Sequence, residues 1–373
     1  MRQLKRTLLL FLITFLPFYT LAKKAISKPV IIAYVGGYKG LVNTSKIQAS
    51  KITHINYAFV NIKNGKAFLD NEKTDTINFK NLNALKAVNP ELKILISIGG
   101  WSWSENFSDA VLTDSSRVVF AKTAVDIVRK YKLDGVDIDW EYPGMQGEAG
   151  NIYRPDDKQN FTLMFEALRT ELNLLEKQTA KRKLLTTAVG GFPSFLDHTQ
   201  MDKAAKYLDF INLMTYDFYS SEFAGHHTNL FASKLYSSDN NADKTVKAFI
   251  QTGVPVKKLV MGIAFYGRNF SVAPDNETGI GAKIISQSFG DGYTVIKDSL
   301  VNKKGFKEFW DNDAKAPYLF NATTHQFITY DNELSVQHKC NYVKDNEMAG
   351  VMFWEYDSDE KGYLLKEINR VLR

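Results

Sequence analysis

The stretch Leu133-Asp134-Gly135-Val136-Asp137-Ile138-Asp139-Trp140-Glu141 puts three carboxylates on alternate positions of a short apolar run. Side chains alternate faces along a strand, so Asp137, Asp139 and Glu141 share one side and Val136, Ile138 and Trp140 the other. Successive carboxylates then step about 6.6 Å, twice the rise per residue. The apolar set is fit to pack against helices, which turns the acidic set toward an interior. Asp134 has the opposite parity from Asp137 and reads as a turn or hydrogen-bonding residue.

Seven further β-rich runs surround this one: Val30–Val35, Ile52–Val60, Leu92–Ile98, Leu184–Val189, Leu208–Thr215, Lys258–Phe265 and Ala349–Trp354. Most are continuously apolar, as strands buried on both faces are. Helical stretches are expected between them at Asn81–Val88, Ser115–Tyr131 and Asp157–Gln178, the last with Asp157 as N-cap. Eight strands alternating with helices predict an α/β fold, a closed (β/α)8 TIM barrel. An open doubly wound sheet is the competitor, but Val35-Gly36-Gly37-Tyr38 lacks the G-x-G-x-x-G spacing of a phosphate-binding turn. The connection from Gly267 to Met348 is far too long for one crossover. Tyr293–Ile296, Tyr318–Phe320 and Phe327–Tyr330 read as short strands, and Val301–Phe309 as partly helical. This predicts a small α+β insertion domain between strands seven and eight at residues 268–340, with the catalytic barrel built from 28–267 and 341–373.

The first 22 residues read as a signal peptide, with Arg2, Lys5 and Arg6 ahead of the apolar Leu8–Leu16 and a Thr20-Leu21-Ala22 cleavage pattern. An uncleaved anchor is the alternative, but the apolar run is short for a bilayer, so no stable membrane insertion is expected. Net charge is +6, near +3 once the three signal-segment charges are gone. With no basic stripe, that gives no footing to a nucleic-acid partner. Cys340 is the only cysteine, which excludes an internal disulfide and suits a secreted or periplasmic bacterial-type protein, expected to act as a monomer.

Carboxylates this close inside a barrel are costly to ionise together. At least one pKa must rise, which gives a carboxyl still protonated near neutral pH, the requirement for a general acid. Glu141 is last in the run, at the C-terminal end where barrel active sites lie. Three acids could also hold Mg²⁺ or Ca²⁺, but barrel metal sites draw ligands from several strands. Buried acids paired with Lys or Arg in a structural role are the third reading. The expectation is a site with no metal and no cofactor.

Asp134-Gly-Val-Asp-Ile-Asp-Trp-Glu141 resembles the D-G-x-D-x-D-x-E signature of glycoside hydrolase family 18, the chitinase family. Ser97-Ile-Gly-Gly-Trp101 is similar to that family's third-strand motif and Met214-Thr-Tyr-Asp217 to its sixth. Gly262-Ile-Ala-Phe-Tyr-Gly-Arg268 is similar to its seventh, with Ala264 where Pro is common, and Trp354 to the tryptophan closing its eighth. The likeness covers about residues 29–373, and its insertion is similar to that of one chitinase subgroup. It implies hydrolysis of chitin or chito-oligosaccharides with retention, the substrate's own acetamido oxygen attacking the anomeric carbon. By the same resemblance Glu141 is the acid, Asp139 orients the acetamido N–H, and Asp137 shares a proton with Asp139. Tyr216 bonds the acetamido carbonyl, Asp217 and Tyr142 hold the distorted sugar, and Trp354 forms its floor.

The residues alone say less. Tyr216 and Asp217 end a strand and fit a site. Trp354, Trp101 and Trp103 either line the cleft or pack in a core. Arg268 either meets substrate or anchors the insertion. Met214 shares the parity of Tyr216, and Tyr34 and Phe59 complete the candidate substrate-binding set. Trp310 stacks on a sugar or packs at the surface, and His226-His227 reads as loop. Two other activities stay open: an endo-β-N-acetylglucosaminidase acting on N-glycans, and a non-catalytic chitin-binding lectin, which typically lacks the terminal Glu.

Overall fold

The computed structural model describes residues 28–238 and 240–373, so the signal segment lies outside the described residues. Eight parallel strands form the barrel: Val30–Gly36, His54–Lys63, Lys93–Gly99, Gly135–Asp139, Leu184–Gly190, Phe210–Met214, Leu259–Ala264 and Gly350–Trp354. They pair in chain order, and the first strand pairs with both the second and the eighth, which closes the ring. All eight predicted strands are present, and the (β/α)8 expectation holds.

The alternation in strand four sorts the core into two. Val136, Ile138 and Trp140 join the large cluster between sheet and helices, where Trp140 stacks on Phe107 and tilts against Phe161. Inside the ring sits a smaller cluster that includes Ile32, Tyr34, Ala188, Val260 and Met352. Apolar burial on both faces of every strand is what a closed parallel ring requires.

Helix boundaries differ from expectation in informative ways. The helix expected at Asn81–Val88 runs Glu72–Ala84 and continues as a 3₁₀ turn, capped by Asn71, which accepts from the Thr74 amide. Its outward face carries the exposed Ile77, which obscures the apolar stripe in the sequence. Asp157 is the first helical residue of Asp157–Thr179 rather than its cap, and it is fully buried. Its carboxylate accepts from Ser108 Oγ at 2.7 Å and from the Arg154 and Gly144 amides at 2.9 and 3.3 Å, pinning the loop after Glu141.

The insertion is a five-stranded antiparallel sheet: Tyr266–Val272, Ile284–Gly292, Lys307–Asp311, Ala316–Asn321 and Gln326–Thr329. Tyr293–Ile296 is helical, not a strand, and passes into a π turn ending at Leu300. Tyr293, Ile296 and Leu300 are the buried positions, a helical spacing that a four-residue window hides. Val301–Phe309 is not helical either: Asn302, Lys304 and Gly305 have left-handed backbone, which breaks a helix, and the strand Lys307–Asp311 follows. The helix Glu333–Asp345, with a capping box from Asn332 and Ser335, packs on barrel strands seven and eight. The boundary placed between 340 and 341 falls inside it.

Candidate active site

Strand four ends at Asp139, and Glu141 lies two residues beyond, half-buried at the C-terminal rim. Ser104 stitches this end: its hydroxyl donates to the Asp139 carbonyl at 2.9 Å and accepts from the Glu141 amide at 3.2 Å. The Gly100 amide donates to the same carbonyl at 2.8 Å. That approach needs Gly99, at φ +114°, where a Cβ would stand 2.2 Å from the Asp139 carbonyl oxygen.

The three acids have different surroundings. Asp137 Oδ2 accepts from the Tyr34 and Ser97 hydroxyls at 2.9 and 2.8 Å; Oδ1 accepts from Thr186 Oγ1 at 2.5 Å and Asn212 Nδ2 at 3.3 Å. Burial still pushes its pKa up, against these donors. Among the described residues no hydrogen bond joins it to Asp139; four donors fix its carboxylate. Asp139 is buried, and among the described residues its Oδ1 has no partner. Burial, then the charges of Glu141 and Asp137, push its pKa well up. Glu141 is raised to about 8, by desolvation first and then by the Asp217 charge. A carboxyl protonated at neutral pH thus sits beside an unsatisfied acceptor.

Asp217 follows strand six in left-handed backbone at φ +60°, a sparsely populated region for a non-glycine. Arg268 donates to it twice, at 2.8 and 2.7 Å, Tyr266 Oη at 2.9 Å, and His227 Nδ1 lies 3.3 Å away. Burial alone would raise its pKa; the bonds from His227 and Arg268 hold it far below the usual carboxylate range. Among the described residues Tyr216 Oη meets only Met352 Sδ, at 3.8 Å, leaving the phenol available to a ligand, and Met214 is half-buried near it in the inner cluster.

The aromatic candidates divide. Trp354 stands half-buried amid Tyr34 at 5.9 Å, Phe59 at 5.5 Å and Tyr38 at 6.4 Å, the last two nearly parallel to it. Trp103 tilts against Phe59 and Tyr38 in the same wall. Trp101 is 53% exposed, edge-on to the Tyr142 ring, whose hydroxyl donates to the Trp101 carbonyl at 2.8 Å. Tyr142 is itself buried. Trp310 lies against His338, on a strand of the insertion away from these residues.

Thr186, Asn212 and Tyr266 have no site role in the sequence reading, and His227 is read there only as loop. The first two hold Asp137, and only their inward parity on neighbouring strands hints at it. The His226-His227 pair is loop, as expected, yet wholly buried: His226 Nε2 pairs with Asp311 at 3.1 Å while His227 turns to Asp217.

The chain belongs to glycosyl hydrolases family 18, whose model matches residues 30–359. It is 34% identical to Chitinase A1 of Niallia circulans, across 87% of this chain and 55% of that protein. It is 33% identical to Chitinase 1 of Aphanocladium album, across 85% of this chain and 78% of the relative. A solved family 18 N-acetylglucosaminidase from Paenibacillus barengoltzii superposes with a TM-score of 0.85 at 38% identity, covering 92% of this chain and 100% of that one. The chain therefore spans little more than half of the first of these relatives, and all of the third.

Proposed function

We propose that the protein hydrolyses β-1,4-linked N-acetylglucosamine polymers with retention, through the substrate's own acetamido group. One observation carries this reading. The unpartnered Asp139 Oδ1 is buried next to a Glu141 that stays protonated near neutral pH. An acceptor without a donor is an unstable arrangement unless a ligand supplies one, and the acetamido N–H is such a donor.

Glu141 gives its proton to the glycosidic oxygen as the bond to the anomeric carbon breaks. The acetamido carbonyl oxygen bonds that carbon on the opposite face, forming an oxazolinium ring. Asp139 accepts from the ring N–H and balances its positive charge, while Tyr216 Oη steadies the acetamido oxygen. Glu141, now a carboxylate, takes a proton from water as the hydroxyl opens the ring, and the acid is restored. Trp354 offers its face to the C–H side of the reacting sugar. Asp137, gripped by four donors one step down the strand, shares a proton with Asp139 in this reading.

The names of the relatives, two chitinases and an N-acetylglucosaminidase, support chitin or its oligomers as substrate. The likeness to the last over its full length favours a second reading, release of single sugars from chain ends. Time-resolved product analysis on labelled hexamers separates the two. A thiazoline mimic of the cyclic intermediate should inhibit strongly; activity unaffected by it sinks the acetamido mechanism. The basic and apolar N-terminal residues support export, and among the described residues no helix is long and apolar enough to cross a membrane.

A further inference from the structure

Phe289, on the insertion strand Ile284–Gly292, is 60% exposed although it is a large apolar side chain at the edge of the candidate site. It pairs in register with Arg268, the residue that grips Asp217. Its ring stacks on Tyr266 at 5.0 Å and 16°, and the Arg268 guanidinium carbon lies over it at 4.1 Å. Tyr266 and Arg268 are themselves only 5.4 Å apart. In a triangle with these sides the angle at Phe289 is acute. Two groups on opposite faces of a ring would subtend a wide angle, so Tyr266 and Arg268 share one face and leave the other to solvent.

Such a ring costs free energy in water unless something covers it. The support behind it is rigid: Tyr266 is buried, its hydroxyl is tied to Asp217, and Arg268 is held by two hydrogen bonds. A flat apolar face, fixed in orientation and continuous with a carbohydrate site, suits the C–H side of a pyranose. A guanidinium on its back face polarises the ring without blocking the front. Phe223, 49% exposed on the loop after strand six, is bridged to Lys283 at the start of the same hairpin, a second exposed aromatic on this side of the insertion.

We propose that Phe289 is a stacking platform for an N-acetylglucosamine unit of the polymer beyond the reacting sugar. This rests on the reading of the protein as a chitin hydrolase. Seen from Asp217, the ring lies beyond the Arg268 guanidinium, so the sugar it meets is a neighbour of the reacting one.

The test compares kcat/KM on chitohexaose with kcat/KM on an aryl chitobioside, in the wild type, Phe289→Ala and Phe289→Trp. Phe289→Ala should lower the ratio of the two about three- to tenfold, through KM for the hexamer, as loss of one stacking contact does. Phe289→Trp should keep it. The chitobioside rate in each variant reports folding and the reacting centre separately. A ratio unmoved by Phe289→Ala overturns the platform and leaves the hydrolase reading intact. A wild type that cleaves neither substrate sinks the hydrolase reading instead. The platform then stands or falls on hexamer binding to the wild-type chain, which Phe289→Ala must weaken by a similar factor.

Discussion

Arg268 and Asp217 form a two-pronged pair, Nε to Oδ1 at 2.8 Å and Nη2 to Oδ2 at 2.7 Å, linking the first strand of the insertion to the end of barrel strand six. About a third of the Asp217 side chain, 34%, still reaches solvent, so the carboxylate is braced from behind and open in front. Its charge is the second cause of the raised Glu141 pKa, after burial.

Asp217→Asn should therefore shift the pH profile of kcat/KM. Removing the negative charge stabilises the ionised form of Glu141 and lowers its pKa. The acid loses its proton sooner, and the alkaline limb moves to lower pH. A limb that stays in place, or moves up, contradicts the coupling.

Glu141→Gln should cut turnover by ~10²–10⁴-fold or more while chito-oligosaccharide binding persists. It should also stabilise the fold in alkali. The folded pKa of about 8 exceeds the unfolded one, so the stability tied to this proton is complete below about pH 4 and lost as pH rises through 8. Glutamine cannot ionise. Allowing for partial exposure, the variant should gain about 1–3 kcal/mol over wild type at pH 9 and nothing at pH 4. Tm values at the two pH values give the check; an equal difference at both would refute the assignment.

His54 begins strand two at the opposite end of the barrel, buried against the edge of Phe210. Burial, then Lys93, lowers its pKa to about 4. The unfolded chain binds the proton near pH 6.5, so stability present above that value is lost as pH falls toward 4, by up to about 3 kcal/mol. His54→Gln should flatten this slope in denaturant titrations between pH 7 and 4; a slope like that of the wild type argues against it.

Lys339 and Asp331 form a wholly buried ion pair at 2.6 Å. Asp331 also accepts from Thr228 Oγ1 at 3.0 Å, Ser335 Oγ at 2.6 Å and the Ala264 amide at 3.2 Å. Lys339→Met leaves a buried carboxylate without its counter-charge and should cost about 3–5 kcal/mol, read as a lower midpoint in urea. A loss under 1 kcal/mol would show that the neutral donors suffice.

The barrel was legible because its eight strands are buried on both faces and announce themselves as apolar runs. The Asp137–Asp139–Glu141 comb was legible because parity along one strand needs no tertiary knowledge. What escaped depended on contacts between distant segments. His227 and Asp217 lie ten residues apart, but the turn between them is shaped by a Thr329 hydroxyl from the insertion. Tyr34, Ser97, Thr186 and Asn212 converge on Asp137 from four other strands, which the pattern of one strand does not reveal. Tyr293–Ile296 reads as a strand because its aromatic and β-branched residues favour strands locally, while burial from Tyr293 to Leu300 follows a helix.

Tyr266–Val272 leaves barrel strand seven after a single residue and at once supplies Tyr266 and Arg268 to the grip on Asp217. The inserted sheet is therefore no detachable ornament. An engineer who trimmed the protein to a bare barrel by joining Phe265 to Ala349 would cut away the brace of its own reaction centre. Loop grafts meant to widen or narrow the groove are safe only downstream of Val272.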